Sequence, residues 1–156
     1  MRGDPIEIVR EVNERWATRD FETVRDLMLA SRDWDDAVRR FEEAGVPTDP
    51  IAPDVEVVVD AFPEGGDWIG QSGRDGWIAF WREWVRPWRD FRLEHSDYEQ
   101  IGDHVLVDVR AAARPREGGE LVELPAVQLF RVRDGQICLY AVYPNRDEAL
   151  AAIPRD

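Results

Sequence analysis

The second half of the chain is dominated by one long run, FRLEHSDYEQIGDHVLVDVRAAARPREGGELVELPAVQLFRVRDGQICLYAVY, residues 91–143. Apolar β-branched and aromatic residues recur there with a period close to two, which predicts four successive strands. The strands are joined by GD, by PREGG and by DG, and the last is a strong signal for a tight hairpin. We therefore predict a long antiparallel meander, and the rest of the chain has to cover one of its faces.

The first half of the chain is mostly helical in its pattern. A first helix begins with Asp4 as N-cap and Pro5 in the first turn, and a second short helix follows Asp20. The segment DWDDAVRRFEEAG, residues 33–45, has acids at its start and glycine at its end, so it predicts a third helix. The segment DVEVVVD, residues 54–60, predicts an early strand because it is rich in β-branched residues.

A tryptophan-rich helix follows this strand. In GWIAFWREWVRPW, residues 76–88, the spacing aligns four tryptophans on one helical stripe: Trp77, Trp81, Trp84 and Trp88. Pro87 is expected to end or kink the helix. Such a stripe usually packs on a sheet as core, and where core meets a cavity it also forms the wall of a pocket.

Helices followed by a meander are typical of the α+β class. We expect residues 1–156 to form one domain, in which the helices pack on the concave face of a curved antiparallel sheet and enclose a cone-shaped cavity. The closing sequence NRDEALAAI, residues 145–153, predicts a final short helix with Asn145 as its cap.

The composition argues against several classes of partner and chemistry. The formal net charge of −13 disfavours binding to nucleic acid or to an anionic membrane. Cys138 is the only cysteine, so the chain has neither an internal disulfide nor a thiolate metal cluster. No apolar run is long enough to cross a bilayer, and the cytoplasm is the expected location. The sequence shows no metal-site spacing and no Gly-rich phosphate loop after a strand, so neither a metal nor a cofactor is expected.

The chain resembles the SnoaL-like proteins of the nuclear transport factor 2 (NTF2-like) superfamily. The matching pieces follow the family's order and cover most of the chain outside about 31–50: the RDF turn, APDVEVVVD, GQSGRDGWIAFW, IGDHVLVDVR, FRVRDGQI and YPNRDEALAAI. The resemblance implies a cone-shaped α+β fold and a homodimer. It leaves the chemistry open, because the superfamily includes isomerases, epoxide hydrolases and polyketide cyclases.

The relative ketosteroid isomerase implies a role for Asp60. That enzyme's aspartate base lies at the end of the first strand, the place that Asp60 occupies in this sequence. Its two oxyanion donors correspond to Val12 and to Ala126 or Val127, whose side chains cannot donate, so steroid-type isomerisation is not expected.

The residues themselves leave two interpretations of Asp60. It follows an apolar strand, where burial would raise the pKa of a carboxyl group toward a catalytically useful range and make it an acid or base. Alternatively it is a strand-end aspartate that faces water or caps the next turn.

Further candidate residues are expected to face the cavity. The predicted lining consists of Val12, Trp16, Trp77, Trp81, His95, Gln128 and Tyr143. The amide of Gln128 lies among apolar neighbours and needs a partner, either a bound ligand or one of Tyr140 and Tyr143 on the next strand. His95, on the inward face of its strand, is either a proton shuttle or a satisfied core histidine.

These observations favour a small-molecule-binding protein with an apolar, aromatic-lined pocket, working as an isomerase, cyclase or hydrolase with Asp60 as acid or base. The alternative is a non-catalytic dimeric scaffold or interaction module whose cone is filled by side chains. The late strands carry apolar residues on both faces, which predicts a homodimer built on the outer face of the sheet. The inserted helix at about 33–45 either crosses the mouth of the cone as a lid or thickens the helical layer, and the contacts of Trp34 distinguish the two.

Overall fold

The computed structural model describes residues 4–17, 21–46, 50–59, 71–85, 88–115 and 118–153. The elements run in the order α1 (Pro5–Ala17), α2 (Phe21–Ala30), α3 (Trp34–Glu43), β1 (Ile51–Val59), β2 (Gln71–Ser72), α4 (Gly73–Val85), β3 (Trp88–Ile101), β4 (His104–Pro115), β5 (Val122–Arg133), β6 (Gln136–Tyr143) and α5 (Arg146–Ala151). The predicted α+β class is confirmed, and the sheet is curved and unclosed.

The six strands lie in the order β2-β1-β6-β5-β4-β3. Strands β3 to β6 form the predicted antiparallel meander. The expectation of a wholly antiparallel sheet is wrong at one pairing, because β1 lies parallel to β6. A parallel pair needs a long connection between its strands, and α4 with the first three strands of the meander supplies it.

Helices α1, α2 and α4 pack on the concave face of the sheet, and α3 packs on α2 and α4. All four helices contribute to the larger of two apolar clusters. Its fully buried members come from α1, β1, β4 and β6: Val9, Val55, Val57, Val105, Val107 and Ile137. Burying a side chain of this size stabilises the fold by about 1.5–3 kcal/mol relative to leaving it in water. This cluster positions α4 over the sheet.

The tryptophan helix is shorter than its stripe predicts. Helix α4 ends at Val85, and Trp88 is the first residue of β3 rather than part of the helical stripe. Pro87 explains the difference, since proline disfavours helical geometry in the residue before it and cannot donate in a helix.

Helix α5 lies on the opposite face of the sheet, an exception to the expected packing on the concave face. Ala149 and Ile153 pack with Leu106, Val127, Leu129 and Ala141 in a second apolar cluster. Arg146 anchors the start of the helix, with Nη1 at 2.6 Å from Glu99 Oε1 and Nε at 3.3 Å from Asp108 Oδ1. The apolar outer residues of the late strands are therefore covered by the chain's own last helix.

The homodimer remains a prediction. Because α5 covers part of the outer face of the sheet, a smaller part of that face is left for the dimer contact. Leu150 on α5 is 41% exposed, and Tyr143 is only partly buried at the edge of the second cluster. We expect light scattering at micromolar concentration to give twice the 18.0 kDa mass of one chain. The substitution Leu150→Glu should shift the protein toward the monomer, whereas Leu121→Glu, at the other strongly exposed leucine, is the control. A wild-type monomer would contradict the prediction.

The inserted helix α3 is stabilised by its own caps and by a buried acid. Asp33 is the N-cap and accepts from the backbone N–H of Asp36 at 2.9 Å, and Gly45 follows the helix at φ 75°. The Asp36 carboxylate is itself buried and accepts from the Arg32 backbone N–H at 3.0 Å and from Arg40 Nε at 3.2 Å. The Arg32 hydrogen bond is the main reason why the pKa of Asp36 lies below its ordinary value.

Trp34 places α3 beside the first turn of α4. Its backbone N–H donates to Asp75 Oδ1 at 3.0 Å, and the Arg74 guanidinium carbon lies 5.2 Å from the centre of its ring. The residues of α4 that border the cavity described below are Phe80 and Trp81, farther along the helix. The loop after Asp60, whose contact with Trp34 would identify a lid, lies outside the described residues, so the lid and the thickened helical layer both stay predictions.

Candidate functional site

A cavity of about 30 Å³, partly open to the surface, lies between α4 and the concave face of the sheet. Its wall is formed by Phe80, Trp81, Phe91, Leu93, Val109, Ala111, Ala126, Gln128, Tyr140 and Val142. Such a volume holds about two or three waters, or one end of a ligand, rather than a whole ring. Most of the wall is apolar, and its polar groups are an indole, an amide and a phenol.

The aromatic part of the wall is built around Tyr140. Its ring centre lies 5.4 Å from that of Trp77, 5.6 Å from Trp81 and 5.2 Å from Phe130. Trp77 and Trp81 are one turn apart on α4, so both reach the same tyrosine of β6. Aromatic pairs at these distances stabilise by about 0.5–1.5 kcal/mol each beyond the area they bury. At this level of the cone, side chains fill much of the space.

A chain of hydrogen bonds runs through the core beside the cavity. Gln128 Nε2 donates to Tyr140 Oη at 3.2 Å, and Asn13 Nδ2 donates to Gln128 Oε1 at 3.4 Å and to Tyr98 Oη at 3.3 Å. Of the partners considered for Gln128, the structure therefore provides Tyr140. Because an unpaired buried amide costs free energy, this network fixes the direction in which the Gln128 amide points.

Tyr140 is held in its protonated form. Burial raises the pKa of its phenol well above the ordinary value, and the hydrogen bond from Gln128 only partly offsets that rise. Its oxygen accepts from Gln128, so its own proton has to be donated elsewhere. Within the described ranges, no acceptor for that proton is found.

His95 lies next to the cavity on β3. It pairs across the sheet with Val109, whose side chain belongs to the cavity wall. Burial lowers the pKa of His95 to about 4, so the ring is neutral at neutral pH. Its Nε2 atom is buried and has no hydrogen-bond partner among the residues that the structure describes. Among the described residues, His95 is therefore not a core histidine whose two ring nitrogens both have hydrogen-bond partners.

The other sequence-predicted lining residues on the concave side fall into two groups. Trp81 and Gln128 border the cavity directly. Val12 and Trp77, which are 5% and 6% exposed, belong to the apolar cluster between the helices and the sheet.

Three further predicted site residues lie elsewhere or cannot be placed. Tyr143 packs with the cluster on the outer face, because the register that pairs Gln128 with Val142 turns the next residue of β6 outward. The side chain of Trp16 and the whole of Asp60 lie outside the described residues. The strand that precedes Asp60 ends at Val59, which pairs with Val142 of the cavity wall.

Two residues of the polar network, Asn13 and Tyr98, are absent from the sequence-based prediction. The sequence did contain a signal for Asn13. Val9, Val12 and Asn13 have the i, i+3, i+4 spacing of one helical face, and Asn13 is the polar residue among these three. Tyr98 had none, because it follows a β-bulge at Asp97, where φ is 53°. The extra residue reverses the alternation of β3 and turns Tyr98 toward the helices.

The described part of the chain contains no group of three or more side chains able to hold a metal ion. None of its described helices is long and apolar enough to cross a membrane. The polar groups in the cavity wall, an indole, an amide and a phenol, are of the kind that form hydrogen bonds to organic molecules.

Comparisons with known proteins agree with this architecture. The family model of the SnoaL-like domain matches residues 26–140, well over half of the chain. No curated protein matches the sequence significantly. The fold is similar to that of an NTF2-like protein of unknown function from Burkholderia pseudomallei K96243, with a TM-score of 0.63 and 19% identity over 98% of this chain and 99% of the other.

Two other solved structures are also similar. TerC, crystallised with polyporic acid, has a TM-score of 0.58 and 20% identity over 94% of this chain and 95% of its own. A candidate SnoaL-like polyketide cyclase from Jannaschia sp. CCS1 has a TM-score of 0.60 and 19% identity over 96% and 93%. At these identities the likeness establishes the fold alone. The chain belongs to the SnoaL-like domain family and has its NTF2-like fold.

Proposed function

We propose that this protein binds a small, largely apolar organic molecule in the cavity beside α4. The observation that carries the proposal is the hydrogen-bonded pair of Gln128 and Tyr140 set in an otherwise apolar, aromatic wall. Apolar pockets with a few fixed polar groups are typical of small-molecule sites. Ring-bearing compounds are the first class to test, since one structural relative is a candidate polyketide cyclase and another was crystallised with polyporic acid.

The proposal includes Asp60 as the general acid or base of an isomerase, cyclase or hydrolase reaction. Val59, the preceding residue, is paired with Val142 of the cavity wall. The proposal requires the Asp60 carboxyl group to border this wall, because apolar surroundings raise the pKa of a carboxyl group and suit it to proton transfer near neutral pH.

Native mass spectrometry of freshly purified protein tests the binding. We expect an additional mass that is lost on denaturation and that identifies the ligand. If that compound is turned over, Asp60→Asn should lower kcat by at least about 100-fold while the compound still binds. Asp54→Asn is the matched control, because Asp54 lies on β1, the strand that precedes Asp60, but is exposed and paired with Arg133. Full turnover by the Asp60→Asn protein would rule out the catalytic role.

One observation favours a second candidate function, that of a non-catalytic scaffold. Trp77, Trp81 and Phe130 crowd around Tyr140 and leave a cavity of only about 30 Å³. Native spectra that carry only protein masses would support this candidate over the first.

A further inference from the structure

Strand β3 contains one residue more than regular pairing with β4 allows. The register with β4 shifts between Ser96 and Glu99, so the extra residue lies at this point. Asp97 has a φ of 53°, in the left-handed region that residues other than glycine seldom adopt. Such a backbone conformation persists only where surrounding contacts hold it in place. The contacts of the β3 bulge therefore indicate what depends on it.

The bulge determines which side chains lie on each face of the sheet. Tyr98, which regular alternation would turn outward, packs with the apolar cluster between the helices and the sheet. Ile101 packs instead with the outer cluster that α5 covers. Glu99 also lies on the outer side, where it meets Arg146 of α5. A regular strand would exchange the faces of Tyr98, Glu99 and Ile101.

One arginine of α5 contacts the strand on both sides of the bulge. Arg146 Nη2 donates to the carbonyl oxygen of Asp97 at 2.7 Å, and Nη1 donates to Glu99 Oε1 at 2.6 Å. Arg146 Nε lies 3.3 Å from Oδ1 of Asp108 on β4. An isolated surface ion pair contributes little, but here one planar guanidinium joins the bulged residue, the residue after the bulge and the neighbouring strand. These contacts fit only the bulged strand, because regular alternation would turn Glu99 to the other face.

On the concave side, the bulge is connected to the cavity wall. Tyr98 Oη accepts from Asn13 Nδ2 at 3.3 Å, and the guanidinium carbon of Arg10 lies 4.9 Å from the centre of the Tyr98 ring. Helix α1 therefore rests on this tyrosine. The same Asn13 nitrogen donates to Oε1 of Gln128, a residue of the cavity wall. An amide nitrogen that donates to acceptors on two strands is fixed in direction, and it fixes the Gln128 amide in turn.

We propose that Arg146, on the outer face of the sheet, is a positioning residue for the cavity on the opposite face. It holds the bulge, and the bulge holds Tyr98 against α1. The shared Asn13 amide then fixes the orientation of Gln128. This proposal rests on the proposed function where it concerns ligand binding, whereas the orientation of Gln128 is a property of the protein alone. Helix α5 thus supports the cavity as well as covering the outer strands.

The test is a double-mutant cycle of Arg146→Met and Tyr98→Phe, measured by the side-chain amide resonances of Gln128 in ¹⁵N-labelled protein. These resonances are assigned by their loss in Gln128→Glu. Methionine removes every donor of Arg146, and phenylalanine keeps the ring of Tyr98 but removes the acceptor of Asn13. We expect each change alone to shift the resonances. Arg146→Met should add little to Tyr98→Phe, because both act through the same hydroxyl. Arg133→Met, which breaks another surface ion pair, should leave the resonances unchanged.

Two results would overturn the positioning role. One is an unchanged Gln128 resonance in Arg146→Met, and the other is an equal shift from Arg146→Met with and without the Tyr98 hydroxyl. Should Arg146→Met fail to fold, Arg146→Lys takes its place in the cycle, because lysine keeps the charge but lacks the planar fork that makes all three contacts. A smaller shift in the same direction is then expected, and an unchanged resonance again overturns the role.

Native mass spectrometry of the same variants separates this proposal from the function beneath it. We expect the ratio of bound to free protein for the compound that co-purifies to fall about fivefold in Arg146→Met, as for the loss of one hydrogen bond. An unchanged ratio would overturn the effect of Arg146 on binding. The expected Gln128 shifts in a protein that carries no compound would overturn the binding function alone. A bound compound with unmoved Gln128 resonances would overturn the positioning role alone.

Discussion

Replacing Phe80 with alanine is expected to lower the free energy of unfolding by about 3–5 kcal/mol. Phe80 is 2% exposed, and its ring centre lies 5.0 Å from that of Trp81 and 6.1 Å from that of Tyr140. Truncation would enlarge the space beside an existing cavity. The surrounding rings are large and locked in place, so they relax into that space only in part, and the lost contacts are not regained.

Urea unfolding followed by tryptophan fluorescence measures this effect. Leu121→Ala is the control, because Leu121 is 46% exposed and its truncation should change stability by no more than about 0.5 kcal/mol. A loss of less than about 1 kcal/mol for Phe80→Ala would mean that α4 does not pack on the sheet as described.

Lowering the pH from 7 to 4 is expected to destabilise the protein through His95, by up to about 3 kcal/mol. Burial holds the pKa of His95 at about 4, against 6.5 for a solvated histidine. Between these values the unfolded chain binds the proton and the folded chain does not, so acid favours unfolding. The stabilisation is present above pH 6.5 and is lost as the pH falls toward 4. Partial exposure of His95 makes this figure an upper value.

The measurement is the free energy of unfolding of wild type and of His95→Gln at several values between pH 7 and 4. The difference between the two proteins should change over this range, because the variant lacks the group that titrates. His104→Gln is the comparison, since Asp103 Oδ1 lies 3.0 Å from His104 Nδ1 and works against the effect of burial on the pKa of His104. Parallel curves for wild type and His95→Gln would contradict the assignment.

Local patterns in the sequence were enough to predict the meander and the inserted helix. The GD and DG turns bound strands whose alternation is strong, and Asp33 and Gly45 bound α3. The parallel pairing of β1 with β6 and the packing of α5 on the outer face leave no such local signal. Both depend on which distant surfaces meet, and strand periodicity does not encode that choice.

In the candidate site, too, the residues placed by local periodicity were predictable from the sequence, and the others were not. Trp81 and Gln128 follow the helical and strand periods of their own elements, and both border the cavity. For Tyr143 and Tyr98, the face of the sheet on which the side chain lies depends on the alternation along the strand, and one extra residue reverses that alternation. The bulge at Asp97 turns Tyr98 inward, and the register of β6 turns Tyr143 outward.

The parallel pairing of β1 and β6 has a consequence for synthesis on the ribosome. Strand β1 is made early, whereas β6 is the last strand of the sheet to be translated. In the interval, the strand available to pair with β1, among those that the structure describes, is β2, which has two residues. An unpaired edge invites pairing with other nascent chains. Asp54 and Glu56 are exposed on β1, and negative charge on a strand disfavours its pairing with another copy of the same strand.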